Sequence, residues 1–287
     1  MLWFTEFYEG EGMDLQGTGL TVKVRKAITK KTPFQEVILL DTVDFGKMLV
    51  LDGAIQTTEK DEFIYHEMIV HPALFTLDRK PEKVLVIGGG DGGTVREVLK
   101  HEPKKVEMVE IDKDVVEFAK RELPTISCGL NDERVELIFD DGREYIRNKE
   151  NIYDVIIVDC SDPIGPSKVL YEEEFYKDAF KALKEDGIFV TQSESPFAQR
   201  RVYVKVVKEL QKVFPIVRPY LAFIPTYPSG MWSFTIASKK KDPLSLERNV
   251  LLRQIQELER KTQKLKYYNS QIHFGAFAIP NFVYREE

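Results

Sequence analysis

The sequence predicts an α/β fold: a doubly wound, mostly parallel sheet preceded by a small antiparallel β domain. Three observations predict it. Between Val84 and Ser195 five strand-like segments alternate with stretches of helical spacing. Four of those segments are near-continuously apolar, as strands covered on both faces must be. Over residues 1–60, runs rich in β-branched residues are punctuated by turn signals too close together to admit helices.

Residues 1–60 read as the antiparallel domain, through "LTVKVRKAI", "PFQEVILLDT" and "KMLVLDGAIQTTEKD", with a turn at Asp52-Gly53. "EFIYHEMIVHPALF" has helical spacing and bridges to a second domain over residues 61–287. There "KVLVIG" leads through a glycine turn to a helix ending at Lys100. "KVEMVEID" leads to a helix from Lys113 to Arg121, and "RVELIFDD" to "GREYIRNK". "YDVIIVDCSD" is followed by a loop and a helix around Tyr171–Lys184, and "GIFVTQSES" by a helix around Phe197–Val213. "LERNVLLRQIQELERKTQKL" reads as a late amphipathic surface helix. In such a sheet, ligands gather at the carboxyl ends of the strands.

Composition narrows the function. With 43% hydrophobic and 31% charged residues, the 287-residue chain is globular rather than disordered. No apolar run approaches the ~20 residues that span a bilayer, so no membrane partner is expected. The start, "MLWFTEFYEGEGMDLQG", lacks a basic n-region, so no secretory signal is expected either. Cys128 and Cys160 fit neither metal-ligand spacing nor a disulfide framework, which points to a reducing cytoplasm. A net charge of −6 argues against nucleic acid as partner.

Nearly every predicted parallel strand ends in an acid: Asp91, Glu110 with Asp112, Asp140 with Asp141, and Asp159 with Asp162. Singly, each is an ordinary helix-capping carboxylate. Recurrence along one sheet edge favours a shared site. Glu110 lies about 20 residues past the glycine turn, where an acid accepts hydrogen bonds from ribose hydroxyls. Asp91 sits inside that turn and would repel a pyrophosphate, so the expected ligand is a nucleoside without one. In "DCSDPIGP", Asp159 and Asp162 would repel each other unless a cation lay between them. The pair suits a cationic amine, with one carboxylate placed to take its proton. Tyr227, among prolines and a glycine, can wall a methylene chain or cover a cation. His66 on its own reads as a partly buried helix residue. His71, His101 and His273 have no metal-ligand spacing, and Ser167 and Ser193 lack a nucleophile elbow.

Taken together, "LVLDGAIQTTEKDEFIYHEM", "VIGGGDGGTVREVLKH", "VEID", "DDGREYI", "YDVIIVDCSDPIGP", "IPTYPSGMWSF" and "LKYYNSQIHFGAFAIP" resemble the spermidine synthases, or polyamine aminopropyltransferases. The resemblance runs almost end to end. It implies a Rossmann-like, methyltransferase-type catalytic domain carrying the β domain, assembled as a homodimer or homotetramer. It implies transfer of the aminopropyl group of decarboxylated S-adenosylmethionine to an amine, releasing methylthioadenosine. That donor is a co-substrate, and no other cofactor and no metal are implied. By motif position Asp159 is the general base. Gln35, His66, Asp91, Glu110, Asp141, Gly142 and Pro166 match donor-binding positions, with Asp91 on the donor's ammonium. Gln56, Tyr65, Asp162, Gln192 and Tyr227 match positions around the acceptor. The acceptor stays open among putrescine, agmatine, cadaverine and longer polyamines. A methyltransferase and a catalytically silent polyamine-binding protein are the rival readings.

Overall fold

The computed structural model describes residues 2–9, 12–162 and 165–284; Pro163 lies outside them, as does the side chain of Pro166. Two sheets organise the chain. The first is antiparallel and runs in sequential order through β1 (Leu2–Tyr8), β2 (Thr18–Lys31), β3 (Glu36–Thr42), β4 (Lys47–Leu51) and β5 (Ala54–Thr58). Asp52 and Gly53 form the two-residue connection between β4 and β5. Both have positive φ, 46° and 86°, the backbone that matches strand twist in a tight hairpin. Period-two alternation gives this sheet two apolar faces. Val22, Val24, Leu40, Met48 and Val50 cluster on one, while Val37, Leu39 and Leu49 pack on Val115, Phe118 and Leu123.

Helix α1 (Glu62–Leu77) connects the sheets and is buried along nearly its whole length. The second sheet comprises β6 (Lys83–Gly88), β7 (Lys105–Val109), β8 (Val135–Ile138), β9 (Tyr153–Asp159), β10 (Leu183–Gln192), β11 (Ile216–Phe223) and β12 (Met231–Ser238). Its order is β11-β12-β10-β9-β6-β7-β8. Strands β6 to β10 pair in parallel, and β12 runs antiparallel to both its neighbours. Between and after the strands lie α2 (Gly93–Leu99), α3 (Lys113–Glu122), α4 (Gly142–Ile146), α5 (Glu173–Ala182), α6 (Arg200–Val213), α7 (Arg248–Lys261), α8 (Ser270–Ala276) and α9 (Asn281–Tyr284). Alternate strand residues feed opposite cores. Val84, Val86, Val155 and Ile157 pack toward α1 and α7, whereas Leu85, Ile87, Ile156 and Val158 pack toward α5 and α6. The doubly wound, Rossmann-like architecture follows directly from those apolar runs.

Two details depart from the sequence reading. The helix expected to reach Lys184 stops at Ala182, because Leu183 already begins β10. The hairpin of β11 and β12 was not anticipated, since Pro219 interrupts its first strand. Proline cannot donate to a ladder, and β11 is the edge strand where that costs least. The order reverses at β6, flanked by β7 and β9, which is the topological switch point where an open α/β sheet holds its ligand. Among the described residues no helix is long and apolar enough to cross a membrane.

Candidate active site

At the switch point the turn after β6 crosses the end of β9. Gly89 N–H donates to the Asp159 carbonyl at 2.7 Å. A Cβ on Gly88, whose φ is +82°, would lie 2.1 Å from that same oxygen, so only glycine lets the turn pass. The close crossing fixes Asp159 beside the glycine turn. Its carboxylate accepts from the Tyr65 hydroxyl at 2.7 Å and the Thr94 hydroxyl at 2.6 Å. Burial, then the nearby Asp91 carboxylate, raises its proton affinity above that of an ordinary aspartate.

Around Asp159 opens a cavity of about 600 Å³. The β7 edge supplies Glu110 and Asp112. Glu110 accepts from the Asp112 N–H at 3.0 Å, and burial pushes its carboxyl up to about 7. Asp112 caps α3 and also accepts from the Thr32 hydroxyl and the Gln35 amide, at 2.6 and 3.0 Å. These bonds bring the first sheet, and Gln35 with it, to the cavity wall. Asp141 caps α4 through the Arg143 N–H at 2.8 Å. Gly142 lies so close to Ile87 that a Cβ would come within 2.4 Å of its methyl. Asp91 accepts from the Gly93 N–H at 2.8 Å, and its other oxygen lies 3.3 Å from His66 Nε2. His66 Nδ1 meets Glu62 at 2.6 Å. Burial opposes charge on that imidazole, but Asp91 and Glu62 outweigh it and hold its pKa up at about 10. The Asp91 carboxylate thus already faces a cation, which the glycine turn's sequence did not reveal.

Across Asp159 the wall changes character. Tyr65, Tyr227 and Trp232 form an aromatic side, with ring centroids 5.7 Å apart for the tyrosines and 4.6 Å for Tyr227 and Trp232. The Tyr227 hydroxyl donates to the Gln56 carbonyl at 2.6 Å. Asp162 accepts from the Gln199 amide at 3.0 Å, and burial raises its pKa. The Gln192 amide is committed within the protein, donating to Glu194, Tyr171 and the Cys160 carbonyl. Every site residue expected from the sequence lines this one cavity except Pro166, whose side chain lies outside the described residues.

Among the acids that sequence reading missed, three bear on the site's charge. Glu6, on β1, is buried at the cavity wall. One of its oxygens accepts from Ile55 N–H, the other has no hydrogen-bond partner among the described residues, and burial lifts its pKa to about 8. Glu194 is fully buried and, through burial and the Asp162 carboxylate, is held well above the usual range. Glu62 is the third. Signals existed for two of them: Glu62 precedes His66 by one helical turn, and Glu194 extends the pattern of acids at strand ends to β10. Elsewhere, His71 and His101 meet at 2.9 Å in a buried cluster with Glu97, and His273 is bound by Tyr268 and the Pro243 carbonyl. The Ser167 hydroxyl donates to the Asp162 carbonyl, and Ser193 pairs with Thr235. Among the described residues no group of His, Cys, Asp and Glu is placed to hold a metal ion.

Comparison with known proteins gives a consistent picture. A family model described as a spermine/spermidine synthase domain matches residues 62–247, and one described as a spermidine synthase tetramerisation domain matches residues 2–59. A polyamine aminopropyltransferase of Caldicellulosiruptor bescii is 49% identical over 284 residues, covering 98% of this chain and 96% of that one. One of Shouchella clausii is 47% identical over 283 residues, covering 98% and 97%. A crystal structure of a spermidine synthase in complex with the transition state analogue AdoDATO superposes with a TM-score of 0.90 at 44% identity, covering 98% of this chain and 93% of that one. The spermidine synthase of Thermotoga maritima gives 0.88 at 42%, covering 98% and 92%. The chain belongs to the spermine/spermidine synthase family and is, by class, a polyamine aminopropyltransferase.

Proposed function

We propose that the enzyme moves the aminopropyl group of decarboxylated S-adenosylmethionine onto a putrescine-like diamine or agmatine, giving spermidine or a related polyamine plus methylthioadenosine. One observation carries the reading. The half-buried carboxylate of Asp159, with two hydroxyls donating to it, stands where the nucleoside-suited wall meets the aromatic, acid-ended wall.

The chemistry needs little else. The acceptor arrives as an ammonium, which has no lone pair to attack with until it loses a proton. Asp159 takes that proton, its raised affinity suiting it to the task. The freed nitrogen attacks the propyl carbon, the C–S bond breaks, and its electron pair stays on sulfur. The sulfonium leaves as a neutral thioether. Tyr65 and Thr94 hold the base's orientation, and effective alignment of nitrogen and carbon supplies much of the rate. Glu110 is the ribose acceptor, with Gln35, Asp141, Gly142 and Pro166 along the nucleoside, and Asp91 with His66 at the aminopropyl ammonium. Tyr65 and Tyr227 enclose the acceptor's methylenes, with Gln56, Asp162 and Gln192 around it. Glu6 and Glu194 stand beside Asp162 with raised proton affinity, and a cation at the acceptor's far end would draw these carboxyls toward ionisation.

The test is a panel of amines with product identification by mass spectrometry. Putrescine or agmatine is expected to give the highest kcat/KM. A simple monoamine such as butylamine, matching them, would overturn the role of the distal acids. Methyl transfer from ordinary S-adenosylmethionine would overturn the reaction itself.

A further inference from the structure

Behind His66 runs a line of buried ionic groups that the reaction as written does not use. Arg96, on α2, grips Glu62 with two nitrogens, at 3.1 Å to Oε1 and 2.7 Å to Oε2. Its Nε donates to Glu97 at 2.9 Å, and Glu97 in turn meets His71 at 3.0 Å. Glu62 then meets His66 Nδ1 at 2.6 Å, and His66 Nε2 faces Asp91 at 3.3 Å. Charges alternate along this line, from guanidinium to carboxylate to imidazole to carboxylate. Both nitrogens of His66 are thereby assigned as donors, since each faces a carboxylate oxygen.

We propose that Glu62 and Arg96 are positioning residues for the donor site: they hold His66 as an imidazolium whose Nε2–H aims the Asp91 carboxylate at the donor's ammonium. The inference rests on the reading that Asp91 receives that ammonium.

Packing supports it independently of charge. Gly93 leaves no room behind the ring, since a Cβ there would fall 2.2 to 2.5 Å from three imidazole atoms. His66 and Glu62 side chains are 3% and 7% exposed, so the ring cannot turn to water for a different partner. The charged and titratable groups facing His66 are Glu62 and Tyr65 from its own helix, Asp91 from the glycine turn, and Asp159 from β9, with Arg96 behind Glu62. Two of these carboxylates, Glu62 and Asp91, touch the ring, and the Arg96 guanidinium stands behind Glu62. Arg96 and His66 together draw the Glu62 carboxyl down to about 2 against its burial, so it stays ionised throughout the working range. An ordinary interhelical salt bridge would use the same contacts, and its loss would lower stability alone. A positioning role makes further demands, on the charge of His66 and on one substrate only.

The experiment uses the full-length enzyme and four forms: wild type, Glu62→Gln, Arg96→Lys and Asp91→Asn. Nitrogen-15 NMR of the His66 ring reports its charge against pH, and calorimetry reports the Kd of decarboxylated S-adenosylmethionine. In wild type the ring is an imidazolium at pH 8. In Glu62→Gln one anion is gone, so the ring loses its proton at lower pH and donor affinity falls off at lower pH with it. Losing a charged hydrogen bond predicts a donor Kd raised roughly tenfold, with acceptor KM within about twofold. Arg96→Lys keeps the charge but not the fork, and is expected to weaken the donor by a smaller factor. It also serves if Glu62→Gln does not fold. If Asp91→Asn leaves donor affinity unchanged, the underlying assignment of Asp91 falls. If Asp91→Asn weakens the donor while Glu62→Gln and Arg96→Lys leave both the ring's charge and the donor Kd as in wild type, the positioning role alone is overturned.

Discussion

The Asp159 carboxylate receives hydrogens from Tyr65 and Thr94 and still has lone pairs to offer an ammonium. Asparagine would keep the shape and lose the base. Asp159→Asn is therefore expected to fold normally and lose roughly 10²–10⁴ in turnover, the range typical of a general base. Single-turnover rates at saturating substrates check this, and a near-wild-type rate would remove Asp159 from the role. Glu110 gives a prediction of opposite sign for binding and stability. Its folded pKa of about 7 lies above the ordinary 4.5 because burial disfavours its charge. The unfolded chain gives up that proton more readily, so this group's contribution to stability falls as pH rises from about 4.5 to about 7. Glu110→Gln escapes that loss, and its melting temperature is expected to gain on wild type between those pH values. The same substitution removes an acceptor worth about 1.5–3 kcal/mol, so donor Kd should rise tenfold or more. Thermal scans at pH 4.5 and 8, paired with calorimetry, test both halves. A constant difference in melting temperature would contradict the burial argument, and unchanged donor affinity the ribose role.

Helix α2 shows how an element is shaped by its site. Gly93 opens it, and alanine there would gain up to about 1 kcal/mol of helix propensity. The His66 ring stands where the new methyl would go, and overpacking typically costs about 1–3 kcal/mol. Sterics win, so Gly93→Ala is expected to lower the melting temperature and weaken donor binding together. A raised melting temperature with intact affinity would show that the ring has somewhere else to go. Elements of this kind explain what was legible. The parallel strands β6 and β9 declared themselves because both faces are covered, and the acids at their ends declared the site. Glu194 obeys the same rule but follows β10 by two residues, within "QSES", and reads as a loop acid. Glu6 gave no signal at all: it sits between half-buried Thr5 and exposed Phe7 on β1, and only the way the first sheet covers the cavity turns it inward. The β11–β12 hairpin hid because Pro219 reads as a breaker, and edge position is invisible before the sheet is assembled.

At the scale of the molecule, the first sheet does two jobs. It carries Gln35 and Glu6 to the cavity, and its residues are those matched by the tetramerisation-domain model. On its edge strand Leu2 and Trp3 are 63% and 66% exposed, apolar surface that assembly between copies would cover. An assembly of several copies is the expected state. Leu2→Glu with Trp3→Glu should shift sedimentation toward smaller species, and an unchanged profile would place the interface elsewhere. On the proposed mechanism Asp159 takes a proton from the acceptor in the same cavity where the donor gives up its aminopropyl group and keeps its sulfur. Quantifying methylthioadenosine and polyamine together in a single turnover with decarboxylated S-adenosylmethionine and putrescine tests that most directly. The two products are expected in equal amounts, appearing at the same rate, with both slowed by the same factor in Asp159→Asn. Methylthioadenosine formed without polyamine, or both products formed undiminished in the variant, would contradict that mechanism.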